Sequence, residues 1–355
     1  MPDWTKSMTQ TFEYYIVNPN SWRDEKPLKF VKSSSVDRDE DTDTLGSMTI
    51  DMDEDIGEAW VRVYLVTIQN GVTERHPLGT FLVQTPLMDT DGKNKSYSAD
   101  AYTPLIILKE KLPALGYYIE KGSNILDIVY EKTVDNIEHV PVVKTSCNDT
   151  LVNDFVADPD DTWFKFLSDL LANADYKFGL DEMGRVIFLP KQELDALQPV
   201  WTFDDGNSSI LYPDLTSEND FYGIPNVVQV TCSSGGAIFN ATVENNDPNS
   251  PVSIQNRGRR IYYRDTNPNI VGVVTEKNKK VEEYAEKLLK ELSTVERRIT
   301  FTHGYCPVRV GDAVRLNYTR AGIHNVKAKV VSQSIKCVPG CPVSTTVVYS
   351  SKLWG

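Results

Sequence analysis

Residues 297–351 read RRITFTHGYCPVRVGDAVRLNYTRAGIHNVKAKVVSQSIKCVPGCPVSTTVVYSS, with β-rich runs broken at Gly311-Asp312, Ala321-Gly322 and Val338-Pro339-Gly340. Alternation of period two puts apolar groups on one face of an extended strand, and Gly, Pro and Asp at the breaks supply turns. This stretch is expected to fold as a tight antiparallel meander. Just before it, Val281, Tyr284, Ala285, Leu288, Leu289, Leu292 and Val295 recur at three and four. That spacing predicts one amphipathic helix over 276–296 with a charged outer face.

The N-terminal third is β-rich as well. Short strands are expected over 28–36 and 46–52 around an acidic loop. Ala59–Gln69 alternates and is β-branched, and Asn70-Gly71 favours a two-residue hairpin turn. The returning strand is read over Leu78–Thr85, ended by Pro86, with one more strand over Lys95–Tyr102.

The middle changes character. Thr103-Pro104 opens a short helix over 104–112, and Ser123 is positioned to cap a second. Trp163, Phe164, Phe166, Leu167, Leu170, Leu171 and Ala174 form a broad apolar stripe, so a helix is expected over 160–174 with Asp160 or Asp161 as its cap. A hairpin of 176–180 and 185–189 follows. Residues 190–223, rich in Asp, Ser, Pro and Gly, read as a connector. Asn226–Cys232 and Ala237–Glu244 make a strand pair about Ser233–Gly236. The expected domains are 1–102, a first β domain; 103–195, an α+β middle domain; and 196–355, the connector and a second β domain with helix 276–296.

A chain of 355 residues has room for roughly two or three domains. No apolar run approaches bilayer length, so membrane insertion is not expected. The N-terminal MPDWTKSMTQTFEYY holds no apolar core of the signal-peptide kind. The five cysteines are odd in number and irregular in spacing, which argues against a disulfide framework. Cys337 and Cys341 flank the Val-Pro-Gly turn and are placed either to pair locally or to remain thiols.

The net charge is −13, and its distribution is uneven. Asp37, Asp39, Asp41, Asp43, Asp51, Asp53 and Asp55 crowd one segment, whereas Arg257, Arg259, Arg260, Arg264, Lys277, Lys279 and Lys280 crowd another. The two segments are either solvated faces or surfaces that meet oppositely charged neighbours.

No constellation for catalysis, metal or cofactor binding emerges. Asp51, Asp53 and Asp55 start like a calcium loop, but Gly57 falls one place late and Arg62 stands where a bidentate Glu is required. His303 and Cys306 would point to opposite faces of one strand. Asp158–Asp161 is more simply a helix cap than a carboxylate pair. Gly311-Asp312 reads as a turn. An acidic chain is also a poor nucleic-acid binder, although a carboxylate-lined wall would let DNA pass without holding it.

Four stretches in this order resemble the hub proteins at the tip of phage tails and related contractile injection devices. They are RVYLVTIQNGVTERHPLGTFLVQTP (62–86), DTWFKFLSDLLANADYKFGLDEMGRVIFLP (161–190), VENNDPNSPVSIQNRGRRI (243–261) and VEEYAEKLLKELSTVERRITFTHGYCPVRVGDAVRL (281–316). The resemblance implies a mainly β fold with an α+β insertion. It implies two tail-tube-like β-barrel domains, each with a flanking helix or loop, and a helix-and-hairpin middle domain. It further implies a non-enzymatic virion protein without cofactor, assembled in the host cytoplasm and placed at the tail tip. Three copies would form a pseudo-sixfold ring joining the hexameric tail tube, or a distal tail protein, to a trimeric spike or fibre. The tape-measure protein would be a further partner, and DNA would pass through transiently. Some such hubs carry a peptidoglycan-cleaving domain after the meander; the expectation here is that another protein does that work. In the ring, the acidic and basic segments would either face each other or the acidic one would line the channel. The rival expectations are a carbohydrate-binding module, with Trp22, Trp60, Trp163 and Trp201 as stacking candidates, and a cell-wall hydrolase.

Overall fold

Asn70 and Gly71 adopt φ of 53° and 79°, the left-handed pair that a two-residue hairpin turn requires, and they join two long strands as the Asn-Gly signal predicts. In this computed structural model, residues 2–219, 221–234, 237–266, 268, 270 and 278–354 are described. The beginning of the amphipathic segment at Thr275, with Lys277, and the Gly235-Gly236 turn lie outside the described residues. The strands of the N-terminal third are β1 (Thr9–Asn18), β2 (Arg23–Leu28), β3 (Val31–Asp39), β4 (Gly46–Met52), β5 (Ala59–Gln69), β6 (Val72–Thr90) and β7 (Lys95–Tyr102). The middle holds α1 (Ile106–Glu110), β8 (Tyr118–Ile119), α2 (Ile125–Asn136), β9 (Phe155–Val156), α3 (Trp163–Ala172), β10 (Tyr176–Leu180) and β11 (Val186–Pro190). After it come β12 (Pro199–Asp204), β13 (Leu211–Asn219), β14 (Val227–Ser234), β15 (Ala237–Glu244), α4 (Ile254–Arg257), β16 (Tyr262–Thr266) and α5 (Asn278–Leu292). The meander is β17 (Thr294–Gly304), β18 (Ala313–Tyr318), β19 (Ile323–Lys336) and β20 (Pro342–Lys352). The fold is mainly β.

One sheet has the order β13-β17-β20-β19-β3-β4-β7-β6-β5-β1-β2, with β18 on β19 and β12 on β18. The long β19 makes this possible. Its residues 323–329 pair with β18, and its residues 332–336 pair with β3 along the same strand. The N-terminal strands and the C-terminal meander thus share a sheet. Two readings change here. β6 runs on through Pro86, because beyond Val83 it pairs only with β7 and the missing N–H costs no ladder bond. The connector contains β12 and β13; β12 is held by parallel pairing to β18, more than a hundred residues away in sequence.

The chain divides into two compact units, Met1–Leu215 with Thr300–Val347 and Thr216–Ile299 with Val348–Gly355. In the first unit the middle module buries Leu105, Leu126, Val129, Phe166, Leu167, Leu170 and Leu171 in an apolar core that continues onto Val17, Trp22, Trp60 and Leu82 of the N-terminal third. The caps differ from those read in the sequence. Asn124 caps α2 through its side-chain oxygen, and Thr162 caps α3. Asp161 instead accepts from the Asp158 amide and pairs with Lys165.

The module is seated on the sheet by the β10–β11 turn. The Met183 carbonyl accepts from Trp22 Nε1 at 2.8 Å, Thr80 Oγ1 at 3.0 Å and Arg62 Nη2 at 3.2 Å. Arg62 is 1% exposed and also donates to Thr80 Oγ1, Asp24 and the Trp22 carbonyl. Gly184, at φ +74°, closes the turn where a Cβ would lie 2.7 Å from the Thr80 side chain. Nearby, Glu40 accepts from Lys177 of β10 and Lys329 of β19, each at 2.7 Å. Burial pushes the Glu40 carboxyl up, but the hydrogen bonds from the two lysines outweigh it and hold its pKa below the ordinary value of 4.5.

In the second unit the amphipathic helix α5 packs on β14 and β15. Val281, Ala285 and Leu289 are fully buried against Val228, Val230 and Cys232 of β14, with Phe239, Ala241 and Val243 of β15 alongside. β16 completes this three-stranded sheet by parallel pairing with β14. The loop before β16 is organised by a buried asparagine. Asn226 donates to the Val252 and Arg259 carbonyls and accepts from the Ile261 amide. Ser253 caps the short α4, and Gly258 at φ 64° ends it.

Arg62→Ala removes the ion-pair partner of Asp24, which keeps the Tyr64 hydroxyl, and one of the three donors to the Met183 carbonyl, and it empties a buried site. It is expected to lower stability by about 3 kcal/mol, read from the urea midpoint. Glu40→Gln is expected to cost about 1–2 kcal/mol at neutral pH, discounted for partial exposure. Because the folded pKa of Glu40 is depressed, its contribution is present above the unfolded value and is lost as pH falls through the folded one. Stability of the unmodified chain should therefore decline below pH 4.5, and the Glu40→Gln variant should decline less steeply over the same range.

Candidate functional site

Strand alternation sorts β3 and β4 into two faces. Ser34, Val36, Met48, Ile50 and Met52 are buried on one. The other is polar, and cross-strand register lines it up. Lys336, Ser35, Thr49 and Asp100 form one row; Ser334, Asp37, Ser47 and Tyr102 form the next; Ser332 stands opposite Asp39. Ser33, Asp51 and Ser98 make a further row, in which Ser33 Oγ donates to Asp51. The face continues onto β17 and β20, where Thr300 and Thr346 are 2.9 Å apart. Gln333 and Thr345 hydrogen-bond on the buried side, which fixes Ser334 and Thr346 to this same outer face.

The result is a surface of small hydroxyls and carboxylates. It offers hydrogen-bond acceptors and negative charge. Asp37, Asp39 and Asp51 of the acidic segment belong to it. Asp100 joins them through strand pairing alone, which no local signal reveals. The remaining acids are dispersed. Asp43 pairs with Lys109, Asp53 with Lys32, and Asp55 caps the Gly57 amide. Asp41 is exposed on the loop after β3, its amide bonded to Asp39. Among the described residues, no three His, Cys, Asp or Glu side chains form a metal-holding group.

The arginine cluster also separates. Arg257 points inward, its guanidinium donating to the Ile224 and Phe221 carbonyls at 2.7 Å each. Arg260 pairs with Glu244, and Arg264 donates to Gln229. Arg259 is exposed. As a charged surface the cluster reduces to Arg259, Arg260 and Arg264.

His303 and Cys306 do approach, because β17 ends at Gly304 and the chain turns; Sγ lies 3.9 Å from Nδ1. The contact is not a catalytic pair. His303 Nδ1–H donates to the Gly304 carbonyl, and Nε2 accepts from the Thr345 hydroxyl. Burial pushes the Cys306 thiol up to about 12 and the imidazole down to about 4, so both stay neutral at pH 7. Cys337 and Cys341 are buried free thiols. Asp312 accepts from the Arg309 amide as a turn residue. Trp22, Trp60 and Trp163 are each 8% exposed, and Trp22 packs edge-on against Trp60, so these rings serve the core.

No family model and no curated protein sequence matches the chain. Solved structures do match over nearly its whole length. A tail protein from Neisseria meningitidis MC58 is 13% identical with a TM-score of 0.61, and the alignment covers 96% of each chain. The 43 kDa tail protein of prophage MuSo2 from Shewanella oneidensis is 10% identical with a TM-score of 0.59, covering 95% of this chain and 98% of that one. A chain of the Francisella PdpA–VgrG complex is 10% identical with a TM-score of 0.56, covering 97% of this chain and 58% of that one. With its shared sheet, its seated helix-and-hairpin module and its strand-rich second unit, this chain has the fold of phage tail proteins.

Proposed function

We propose that this protein is a structural component of a phage tail, a baseplate or tail hub whose working parts are surfaces. The observation that carries the reading is an end-to-end match to tail-protein structures, 96% of both chains in one case, by a chain that presents an acidic, hydroxyl-lined strand face. In this reading residues 1–102 and 196–355 supply the two tube-like elements and residues 103–195 the inserted module. Three copies close a pseudo-sixfold ring between the hexameric tail tube and a trimeric spike or fibre, with the tape-measure protein inside. Ring closure pairs or covers exposed strand edges, which otherwise invite aggregation.

The polar face lines the passage. Duplex DNA binds wherever cations neutralise its phosphates, and each such contact adds salt-dependent affinity. A wall carrying Asp37, Asp39, Asp51 and Asp100 among serines and threonines repels phosphate and leaves the duplex free to slide. The exposed Arg259 is then placed for contact with an acidic neighbour in the ring, beside Arg260 and Arg264, which already hold Glu244 and Gln229. The burial of the His303–Cys306 pair and of three tryptophans takes support from a hydrolase or from tryptophan-based sugar binding.

Image averaging of purified tails should find this chain in three copies at the tip, and cross-linked protein should run at three times 40.0 kDa. Its absence from purified tails would sink the hub reading. The lumen assignment has a separate test. The unmodified protein should not retain duplex DNA at about 0.15 M salt, whereas Asp37→Lys with Asp39→Lys and Asp100→Lys should retain it with an affinity that falls as salt rises. Equal behaviour of the two proteins removes this face from the passage.

A further inference from the structure

Tyr222, in the second unit, is 94% exposed. The backbone on both sides of it is nevertheless held, because Arg257 donates to the Phe221 and Ile224 carbonyls. The Arg257 guanidinium therefore anchors the backbone that carries an exposed aromatic ring. Beside that ring opens a cavity of about 370 Å³ lined by Glu218, Tyr222, Ile224, Val295, Glu296 and Arg298. Ile224 and Val295 belong to a small core with Val252 and Leu353, and they give the cavity an apolar floor. Glu296 and Arg298 stand two residues apart on β17, so their side chains rise from the same face, 3.5 Å apart.

We propose that this cavity binds a neutral saccharide, with a sugar ring stacked on Tyr222 and its hydroxyls held by Glu218, Glu296 and Arg298. A pyranose presents an apolar C–H face and a rim of hydroxyls that both donate and accept. The ring of Tyr222 and the Ile224–Val295 floor suit the first. Carboxylates that only accept, next to a guanidinium that only donates, suit the second. The mixed signs disfavour simpler ligands: an anion would meet two carboxylates, and a cation would meet Arg298. The volume lies in the range of small-molecule sites. Because Arg257 holds this backbone in advance, binding does not have to fix it. The site lies wholly within the second unit and stands or falls independently of the hub reading.

Saturation-transfer NMR on the full chain tests this with glucose, galactose, N-acetylglucosamine and rhamnose as separate probes. At least one is expected to receive saturation. Tyr222→Ala should weaken its binding about tenfold, while Tyr222→Phe, which keeps the stacking face, should retain it. Arg298→Gln should also weaken binding. A thermal melt recorded for each variant separates lost binding from lost folding. Three results would overturn the proposal: no transfer to any of the four sugars, transfer indifferent to Tyr222→Ala, or Tyr222-dependent transfer to arginine methyl ester in place of the sugars.

Discussion

The buried guanidinium of Arg62 is the contact on which the first unit is assembled. A charge taken out of water must find all its partners, or folding loses several kilocalories per mole. Here the partners come from three places: Asp24 and the Trp22 carbonyl from the first hairpin, Thr80 from the neighbouring strand, and the Met183 carbonyl from the inserted module. None of these segments can shift without leaving the charge short of a partner. The Glu40 contacts to Lys177 and Lys329 act in the same sense, tying the module and the meander to the loop after β3.

The polar face follows from that arrangement. β3 and β4 bury Val36, Met48 and Ile50, and their pleat then turns Asp37, Ser35 and Thr49 outward. A row of hydroxyls and carboxylates crossing strands from both ends of the chain exists only because β19 pairs with β3. In the proposed hub this face would serve as a passive wall. The aromatic-flanked cavity of the second unit has a different chemistry: exposed carbon, opposed charges and a backbone held by Arg257.

Much of this was legible in the residues. The Asn70-Gly71 hairpin, the apolar stripe of α3, the β10–β11 hairpin and the turn at Gly311-Asp312 are where local patterns put them. Local patterns missed β12 and β13, because Pro, Asp and Ser in 190–223 are loop-forming by propensity and the pairing that overrides them is long-range. They placed the caps of α2 and α3 one or two residues away, since several capping residues stand in a row and only the geometry chooses among them. They treated Arg257 as surface charge, although its guanidinium is spent on two backbone carbonyls. Charge counts carry no information on whether a side chain turns inward.

Taken alone, the amino-acid sequence determined the strand-rich character, the amphipathic helix and the α+β insertion, because period and turn chemistry are local properties of a few neighbouring residues. The order of its segments also resembled tail proteins, whose fold the chain has. Only the tertiary structure decided what each element packs on. The helix α5 covers β14 and β15. The meander pairs with the N-terminal strands instead of standing by itself. Asp37, Asp39, Asp51 and Asp100 become one face, and Asp53 and Asp55 do not. These outcomes depend on pairings between residues far apart in the chain, whose free energy comes from burial and satisfied hydrogen bonds that no local window contains.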